Sequence, residues 1–283
     1  VYTELLNEVN GMPVSNKINF SLAWIYFQQT NYKAAFKIFS DLSVVQDDSL
    51  KIPSLYWSGE CKRYLGEENA AGEIFKQFLQ KYPDNPLASK AQLSLGSLYF
   101  TGNDTGGAEK ALINATMSED KATRGRAYTL LGEMRLNSKS FDEAKRYFVE
   151  AVKLAEAQSE LNNRAFLGLA VSEFYLNNYA AGSKTLEELK TRAKNFESDK
   201  VNFYLAESYF SLGQYSAALK NYNQIKSSSD DLVKQTTLGK AYAYFNLKDF
   251  PNAIYFLNEF ITKYKNDPIV TEVKLRLADS YFG

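Results

Sequence analysis

Residue types that carry out catalysis are scarce in this chain. Its 283 residues contain no histidine and a single cysteine, Cys61. Histidine is the commonest general base and metal ligand in proteins, and a zinc site of the Cys/His type needs several such side chains. The composition therefore excludes histidine-based acid–base catalysis and a Cys/His zinc site. Cys61 is predicted to be a buried structural thiol.

The remaining candidate motifs also lack the features that catalysis needs. Segment 102–107 is rich in glycine, but it lacks the Lys-Ser/Thr ending of a phosphate-binding loop. The carboxylate pairs Asp47–Asp48 and Asp230–Asp231 lie in links between predicted structural units, where they are more typical of solvated charge than of a metal site. We therefore expect no catalytic residue, no cofactor and no metal, and a protein that is not an enzyme.

The charge balance argues against two classes of partner. Lys plus Arg and Asp plus Glu each number 33, so the formal net charge is zero. Nucleic-acid backbones and anionic membrane surfaces attract proteins with clustered positive charge. No apolar run approaches the roughly 18 residues that a membrane span requires. We therefore expect no nucleic-acid partner and no direct membrane insertion within this segment.

A regular spacing of small residues organises the whole chain. The small residues recur about every 36 positions, a period typical of repeat proteins. In each copy a second small residue and then a large apolar residue follow at constant offsets. The small residues that begin the copies, called anchors below, are Ala23, Gly59, Gly96, Gly132, Ala170, Ala206, Ala241 and Ala278.

Each copy is predicted to contain two helices joined by a tight turn. Small residues at matching positions let two helix backbones approach closely, and the large residue fills the adjoining groove. Turn-forming pairs such as Thr30–Asn31 and Gly213–Gln214 fall between the two predicted helices, and Pro251 suits the first turn of a second helix. No stretch alternates apolar and polar residues long enough to indicate a strand. The sequence therefore predicts an all-α fold.

This pattern resembles the tetratricopeptide repeat, whose signature places a small residue, an aromatic, a turn, an alanine and a second aromatic at these offsets. The fifth copy departs most from it, with Glu173 in the aromatic position and Gly182 in the alanine position. The resemblance implies a right-handed superhelical solenoid of helix-turn-helix repeats. The copy most similar to the signature contains Leu205, Ala206, Tyr209, Gly213, Tyr215, Ala218 and Tyr222.

The resemblance also implies how the chain is divided. A single solenoid domain is expected over 1–283, with about seven full repeats over 16–270. Residues 1–15 resemble the second helix of a preceding repeat, and 271–283 the first helix of a further one. We expect the parent protein to continue in both directions, with atypical capping elements as the alternative. Exposed solenoid ends would also permit self-association.

In tetratricopeptide arrays the first helix of each repeat lines the concave face, where ligands usually lie. Carried over to this chain, the positions three before, one after and four after each anchor form an aromatic ladder with acidic residues between the rings. Aromatic anchors commonly dominate protein interfaces, although such rings can also wedge between helices as core residues. The protein-binding residues predicted in this way, together with Tyr64, are Phe20, Trp24, Phe27, Tyr56, Glu60, Arg63, Phe100, Glu133, Phe174, Phe203, Glu207, Phe210, Tyr242 and Phe245.

Two comparisons within the family narrow the expected function. No repeat has the lysine three before and the asparagine one after the anchor that hold a terminal carboxylate in chaperone adaptors, so a heat-shock cochaperone is disfavoured. The links 81–88 and 263–268 resemble those of bacterial cell-envelope members, of the Tol-Pal-associated and outer-membrane assembly lipoprotein types. The resemblance therefore implies a non-catalytic scaffold or adaptor for a protein or peptide partner in a periplasmic envelope machine, with a cytoplasmic location as the alternative.

Two other functions remain open at this stage. The array could be the recognition arm of a larger enzyme, such as a glycosyltransferase or a sensor kinase, or it could be a self-assembling structural element. Because the chain has no histidine, binding is predicted to vary little between about pH 6 and 8 unless the pKa of a carboxylate is strongly shifted.

Overall fold

The computed structural model describes residues 13–156 and 159–283. Within those ranges the chain forms fifteen α-helices and no strand, which confirms the all-α prediction. The first helix already begins at Pro13, and the rest of the helix predicted for 1–15 lies outside the described residues. The helices are α1 (Pro13–Gln28), α2 (Tyr32–Leu42), α3 (Asp48–Tyr64), α4 (Glu68–Lys81), α5 (Ala88–Thr101), α6 (Thr105–Ala115), α7 (Lys121–Asn137), α8 (Phe141–Leu154), α9 (Glu160–Tyr175), α10 (Tyr179–Arg192), α11 (Ser198–Ser211), α12 (Tyr215–Tyr222), α13 (Asp230–Asn246), α14 (Phe250–Lys263) and α15 (Val270–Phe282).

The helices belong to two compact units, Val1–Met134 and Arg135–Gly283, whose boundary falls within α7. In each unit, most helices that follow one another in the chain pack together, as α1 and α2 do in the first unit and α13 and α14 in the second. The first helices of consecutive repeats also contact each other. Examples are α1 with α3 in the first unit and α9 with α11 in the second. This nearest-neighbour packing is the arrangement that a helical repeat produces. The expectation of a single domain over 1–283 stays a prediction.

The turn between the two helices has the same backbone geometry in every full repeat. The seventh residue after the anchor has positive φ, and the next amide donates back to a carbonyl in the last turn of the first helix, as Gln214 N does to Tyr209 O at 2.8 Å. This is a Schellman motif, which satisfies carbonyls at a helix end. The predicted turns are therefore confirmed. The residues with positive φ at this position are Thr30, Gly66, Asn103, Lys139, Asn177, Gly213 and Lys248.

The large residue of each repeat lies in the core between first helices. A Cβ atom on the anchor Gly59 would collide with the ring of Phe75 in the same repeat. A Cβ atom on Gly168 would collide with the ring of Phe148, which belongs to the preceding repeat. Small residues at these places are therefore needed for close packing. The large residues, all fully buried, are Phe39, Phe75, Leu112, Phe148, Leu186, Tyr222 and Leu257.

The fifth repeat keeps the common geometry although its sequence departs from the pattern. Glu173 replaces the aromatic residue and is held by two side chains, Asn178 Nδ2 at 2.8 Å and Lys145 Nζ at 3.1 Å. The backbone of Gly182 lies so close to α9 that a Cβ atom there would approach the carbonyl oxygen of Ala170 to 3.1 Å. Polar contacts and a closer helix approach thus replace the missing ring and methyl group.

The motifs considered for chemistry have structural roles. Cys61 is buried, as predicted, and burial raises the pKa of its thiol to about 12. The carboxylate of Asp47 caps α3 by accepting from Ser49 N at 3.0 Å. Asp230 pairs with Lys263 at 3.1 Å. Among the described residues, no helix has both the length and the apolar character of a bilayer-spanning segment.

Candidate protein-binding surface

The first helices α11 and α13 border a cavity of about 290 Å³ in the second unit. Phe203, Glu207 and Phe210 line it from α11, because residues three or four apart lie on one face of a helix. Tyr242 lines it from α13. The structure thus brings four of the predicted binding residues together around one opening, which is called the α11–α13 cavity below.

Glu207 is the carboxylate of this cavity. The hydroxyl of Tyr222, at the end of α12, donates a hydrogen bond to Glu207 Oε1. Burial raises the pKa of Glu207, and the hydrogen bond from Tyr222 opposes that rise in part. Within residues 13–156 and 159–283, no Lys or Arg forms an ion pair with this carboxylate. The cavity therefore combines aromatic walls with a carboxylate that lacks a countercharge.

Four residues that line the α11–α13 cavity are not among the predicted binding residues, namely Tyr222, Gln235, Leu238 and Gly239. Tyr222 occupies the large core position of its repeat, where the other full repeats have Phe or Leu. Its hydroxyl could therefore have indicated a polar function at that position. Position 239 needs glycine, because a Cβ atom there would overlap the hydroxyl end of Tyr222. The two residues together allow the Tyr222 hydroxyl to reach Glu207.

The first unit contains an aromatic cluster between α1 and α3. Trp24 contacts Trp57 with ring centroids 4.5 Å apart and stacks on Phe27 at 5.7 Å. Tyr64 stacks on Tyr32 at 4.8 Å. Trp24 and Tyr64 are 36% and 50% exposed, so this cluster keeps aromatic surface accessible to solvent. Trp57 and Tyr32 were not predicted, since their positions fall outside the three groove offsets.

Three family models, each described as a tetratricopeptide repeat, match residues 54–85, 125–158 and 203–268. These matches coincide with the repeat register, the Schellman turns and the paired helices. The chain contains tetratricopeptide repeats over these residues.

Solved structures share this tetratricopeptide fold at low sequence identity. The C-terminal part of a tetratricopeptide repeat protein from Cytophaga hutchinsonii has a TM-score of 0.65 at 15% identity, covering 90% of this chain and 98% of that one. PilF from Pseudomonas aeruginosa has a TM-score of 0.61 at 15% identity, with coverages of 79% and 96%. PilW, described as a widely conserved type IV pilus biogenesis factor, has a TM-score of 0.59 at 19% identity, with coverages of 77% and 96%. No curated protein matches the chain significantly.

Two predicted binding residues of this tetratricopeptide chain are core residues instead. Tyr56 is only 6% exposed and packs on Phe75, with ring centroids 6.0 Å apart. Glu60 is 4% exposed, pairs with Arg63 at 2.7 Å and accepts a hydrogen bond from the Ser94 hydroxyl. The structure corrects the prediction for Tyr56 and Glu60, because neither side chain is accessible to a partner.

The other predicted residues are half-buried in the tetratricopeptide repeats. Phe20 packs edge-on against Phe39 at 5.5 Å, and Phe174 packs against Tyr204 at 5.4 Å. The guanidinium of Arg276 lies 4.6 Å from the ring centroid of Phe245. Partner contact at these positions stays a prediction. It also stays a prediction for Phe100 and Glu133, which are half-buried on α5 and α7.

Replacing Glu207 by glutamine is expected to stabilise the second unit at neutral pH. A carboxyl group whose pKa is raised by folding binds protons more tightly in the folded state, so its ionisation lowers the free energy of unfolding as pH rises. Glutamine keeps an acceptor for the Tyr222 hydroxyl but carries no charge. The melting temperature of Glu207→Gln should therefore exceed that of the parent at pH 7, and the difference should disappear below the unfolded pKa of about 4.3.

Glu187→Gln is a matched control for this measurement. Glu187 also accepts a hydrogen bond from a tyrosine hydroxyl, that of Tyr209 at 2.9 Å, but it is exposed on α10. Its substitution removes the same charge without relieving a buried carboxylate. An equal gain in melting temperature for both variants, or a gain for Glu207→Gln that persists at pH 3, would contradict the assigned cause.

Proposed function

We propose that the chain is a non-catalytic scaffold that binds a protein or peptide through the first helices of its repeats. Tetratricopeptide repeats are generally protein-interaction modules. The observation that carries the proposal for this chain is the α11–α13 cavity, where Phe203, Glu207, Phe210 and Tyr242 converge. A cavity with mostly apolar walls and a few polar groups is the usual form of a recognition site.

The aromatic rings of this surface are suited to binding. Phe210 packs edge-on against Tyr215 with ring centroids 5.3 Å apart, and the hydroxyl of Tyr242 lies 3.5 Å from Glu272 Oε1. Rings that are already held by neighbours lose little conformational entropy when a partner docks. We infer that such preorganised aromatic side chains are the main anchors for the partner, both here and at Trp24 and Tyr64 in the first unit.

We further propose that the scaffold serves a bacterial cell-envelope machine. The links 81–88 and 263–268 support this proposal through their resemblance to envelope members of the family. PilW, a type IV pilus biogenesis factor, is an example of the same fold in such a process. Fractionation of native cells tests the location. Recovery of the parent protein with a periplasmic marker supports the proposal, and recovery only with a cytosolic marker contradicts it.

Selection from a random peptide library displayed on phage tests the binding function without a known partner. The purified chain is expected to enrich related peptides, which would bind the isolated protein with dissociation constants of about micromolar order. Tyr242→Ala and Phe210→Ala should each weaken the binding of such a peptide about tenfold or more, since they truncate interface aromatics.

Tyr255→Ala is the matched control for the selection. Tyr255 is 63% exposed on α14 and does not line the α11–α13 cavity. Its truncation should leave peptide binding unchanged. Circular dichroism and thermal melting would establish that each variant is folded. The proposal fails if no peptide is enriched, or if folded Tyr242→Ala and Phe210→Ala proteins bind the selected peptides as well as the parent does.

A further inference from the structure

We propose that the α11–α13 cavity binds a lysine or arginine side chain of the partner, with Glu207 as its countercharge. This inference rests on the proposed function, since it assigns the chemistry of one pocket on the binding surface. The occupant is a basic side chain of a polypeptide, and its charged group is placed at the carboxylate while its apolar stem lies along the cavity wall.

The first support is the unused hydrogen-bonding capacity of Glu207. Its Oε1 accepts from the Tyr222 hydroxyl, whereas Oε2 has no hydrogen-bond partner among the described residues. Since Oε2 is not among the side-chain atoms that are both buried and without a partner, it is accessible to solvent. An ionised carboxylate can accept several hydrogen bonds. A donor that enters the cavity can therefore reach a free carboxylate oxygen.

The second support is a comparison with the equivalent carboxylate of the second repeat. Glu60, like Glu207, directly follows the anchor of its repeat. Arg63, three residues later, supplies the cation for Glu60 with Nη2 at 2.7 Å. The position equivalent to Arg63 in the sixth repeat is Phe210, which carries no charge. The second repeat thus contains its own cation, and the sixth repeat leaves that place to a ligand.

The two repeats also differ in the side chain that donates a hydroxyl hydrogen bond to this carboxylate. Ser94, which donates to Glu60 Oε1, comes two residues before the next anchor. Its equivalent near Glu207 is Gly239, which has no side chain to donate. Tyr222 replaces this single donor, but in the part of the chain that the structure describes no second donor replaces Arg63. The unmet requirement at Glu207 is therefore for a cationic donor.

The walls of the cavity fit the rest of a basic side chain. The rings of Phe203, Phe210 and Tyr242 line the cavity, and aromatic rings attract the cationic groups of Lys and Arg. Leu238 adds an apolar surface for the methylene stem. A cavity of about 290 Å³ is at the lower limit for small-molecule sites, so it suits one side chain. An acidic side chain would be repelled by Glu207.

The assignment predicts how binding depends on pH. Among the described residues, the titratable groups that interact with Glu207 are Tyr204 on its own helix and Tyr222 on α12, and Tyr242 on α13 lines the same cavity with its hydroxyl directed to Glu272. Burial raises the pKa of all three tyrosines, so they stay neutral near pH 7. A cationic ligand binds the ionised form of Glu207. Its affinity should therefore rise with pH through the raised pKa of Glu207 and then become constant.

The test uses the full chain and three small probes. These are N-acetyl-lysine methylamide, N-acetyl-arginine methylamide and the neutral analogue in which the lysine side chain is acetylated. Chemical shifts of the Leu238 methyl groups report occupancy of the cavity. We expect the two cationic probes to bind with dissociation constants of millimolar order and the neutral analogue to bind about tenfold more weakly, a difference of about 1.4 kcal/mol.

Two variants show whether Glu207 is responsible. Glu207→Gln should abolish the preference for cationic probes, whereas Glu187→Gln, an exposed carboxylate on the neighbouring helix α10, should retain it. The melting curve of each variant shows whether it is folded. Equal binding of charged and neutral probes, no binding of any probe, or an unchanged preference in folded Glu207→Gln would each overturn the inference.

The phage selection separates this inference from the proposed function. Enriched peptides that need Tyr242 and contain a lysine or arginine sensitive to Glu207→Gln support both. Enriched peptides that need Tyr242 but show no such basic residue overturn only the basic-side-chain pocket. A selection that enriches nothing contradicts the scaffold itself.

Discussion

Phe260→Ala is expected to destabilise the second unit by about 3–5 kcal/mol. Phe260 on α14 is fully buried in a cluster with Leu257 of the same helix, Ala241 of α13 and Val273 of α15. Truncation removes the buried ring and leaves a cavity where three helices meet. Because each repeat depends on its immediate neighbours, hydrogen exchange should show the greatest loss of protection in α13, α14 and α15.

Tyr255→Ala provides the control on the same helix. Tyr255 is also aromatic, but it is largely exposed on α14. Its truncation should change the free energy of unfolding by only about 0.5 kcal/mol, because surface substitutions seldom cost more. Urea titrations of the two variants provide the comparison. A similar loss of stability for both variants would show that Phe260 is not the core residue that its burial indicates.

Gly168→Ala is expected to destabilise the second unit by about 2 kcal/mol, although alanine favours helix formation. The new methyl group would collide with Cζ and both Cε atoms of Phe148. Overpacking of this kind typically costs about 1–3 kcal/mol or more, and the higher helix propensity of alanine returns about 1 kcal/mol. Phe148 is fully buried, so its ring cannot move into solvent. Urea denaturation measures the net effect.

Gly72→Ala and a compensating substitution make this prediction specific. Gly72 also lies inside a helix, α4, but a Cβ atom there would meet only Leu95 Cδ1, at 4.0 Å. Gly72→Ala should therefore be neutral or stabilising by up to about 1 kcal/mol. Combining Gly168→Ala with Phe148→Leu should cost less than the two single changes together, since both act on one contact. Strict additivity would contradict the assigned collision.

Much of the fold could be predicted, because the regular spacing of small and large residues reflects how the helices pack against one another. The large residue at each fixed offset, such as Phe39 or Phe148, is fully buried where the register places it. The turns at Gly66 and Gly213 were recognisable from glycine itself, which adopts positive φ without steric cost. The anchor Ala278 is the exception. It is exposed on α15, the last helix that the structure describes.

The candidate binding surface was less predictable. Helical spacing shows which face of a helix a residue occupies, but it does not show how exposed the side chain is. Tyr56 and Trp24 both occupy groove offsets, yet Tyr56 lies in the core while Trp24 keeps an accessible edge. Glu60 and Glu207 share one position in the repeat, but only Glu60 has an internal cation. The polar function of Tyr222 was hidden because an aromatic residue is expected in that core position.

The sequence by itself determined the all-α class, the period and the turns, because these depend on local geometry and on a pattern repeated many times. Only the tertiary structure decided which groove residues are accessible and which charges are paired. Those properties depend on side chains from different helices, such as Glu207 with Tyr222, or Glu60 with Ser94. The identity of a neighbour across helices changes from repeat to repeat, so the common pattern does not contain it.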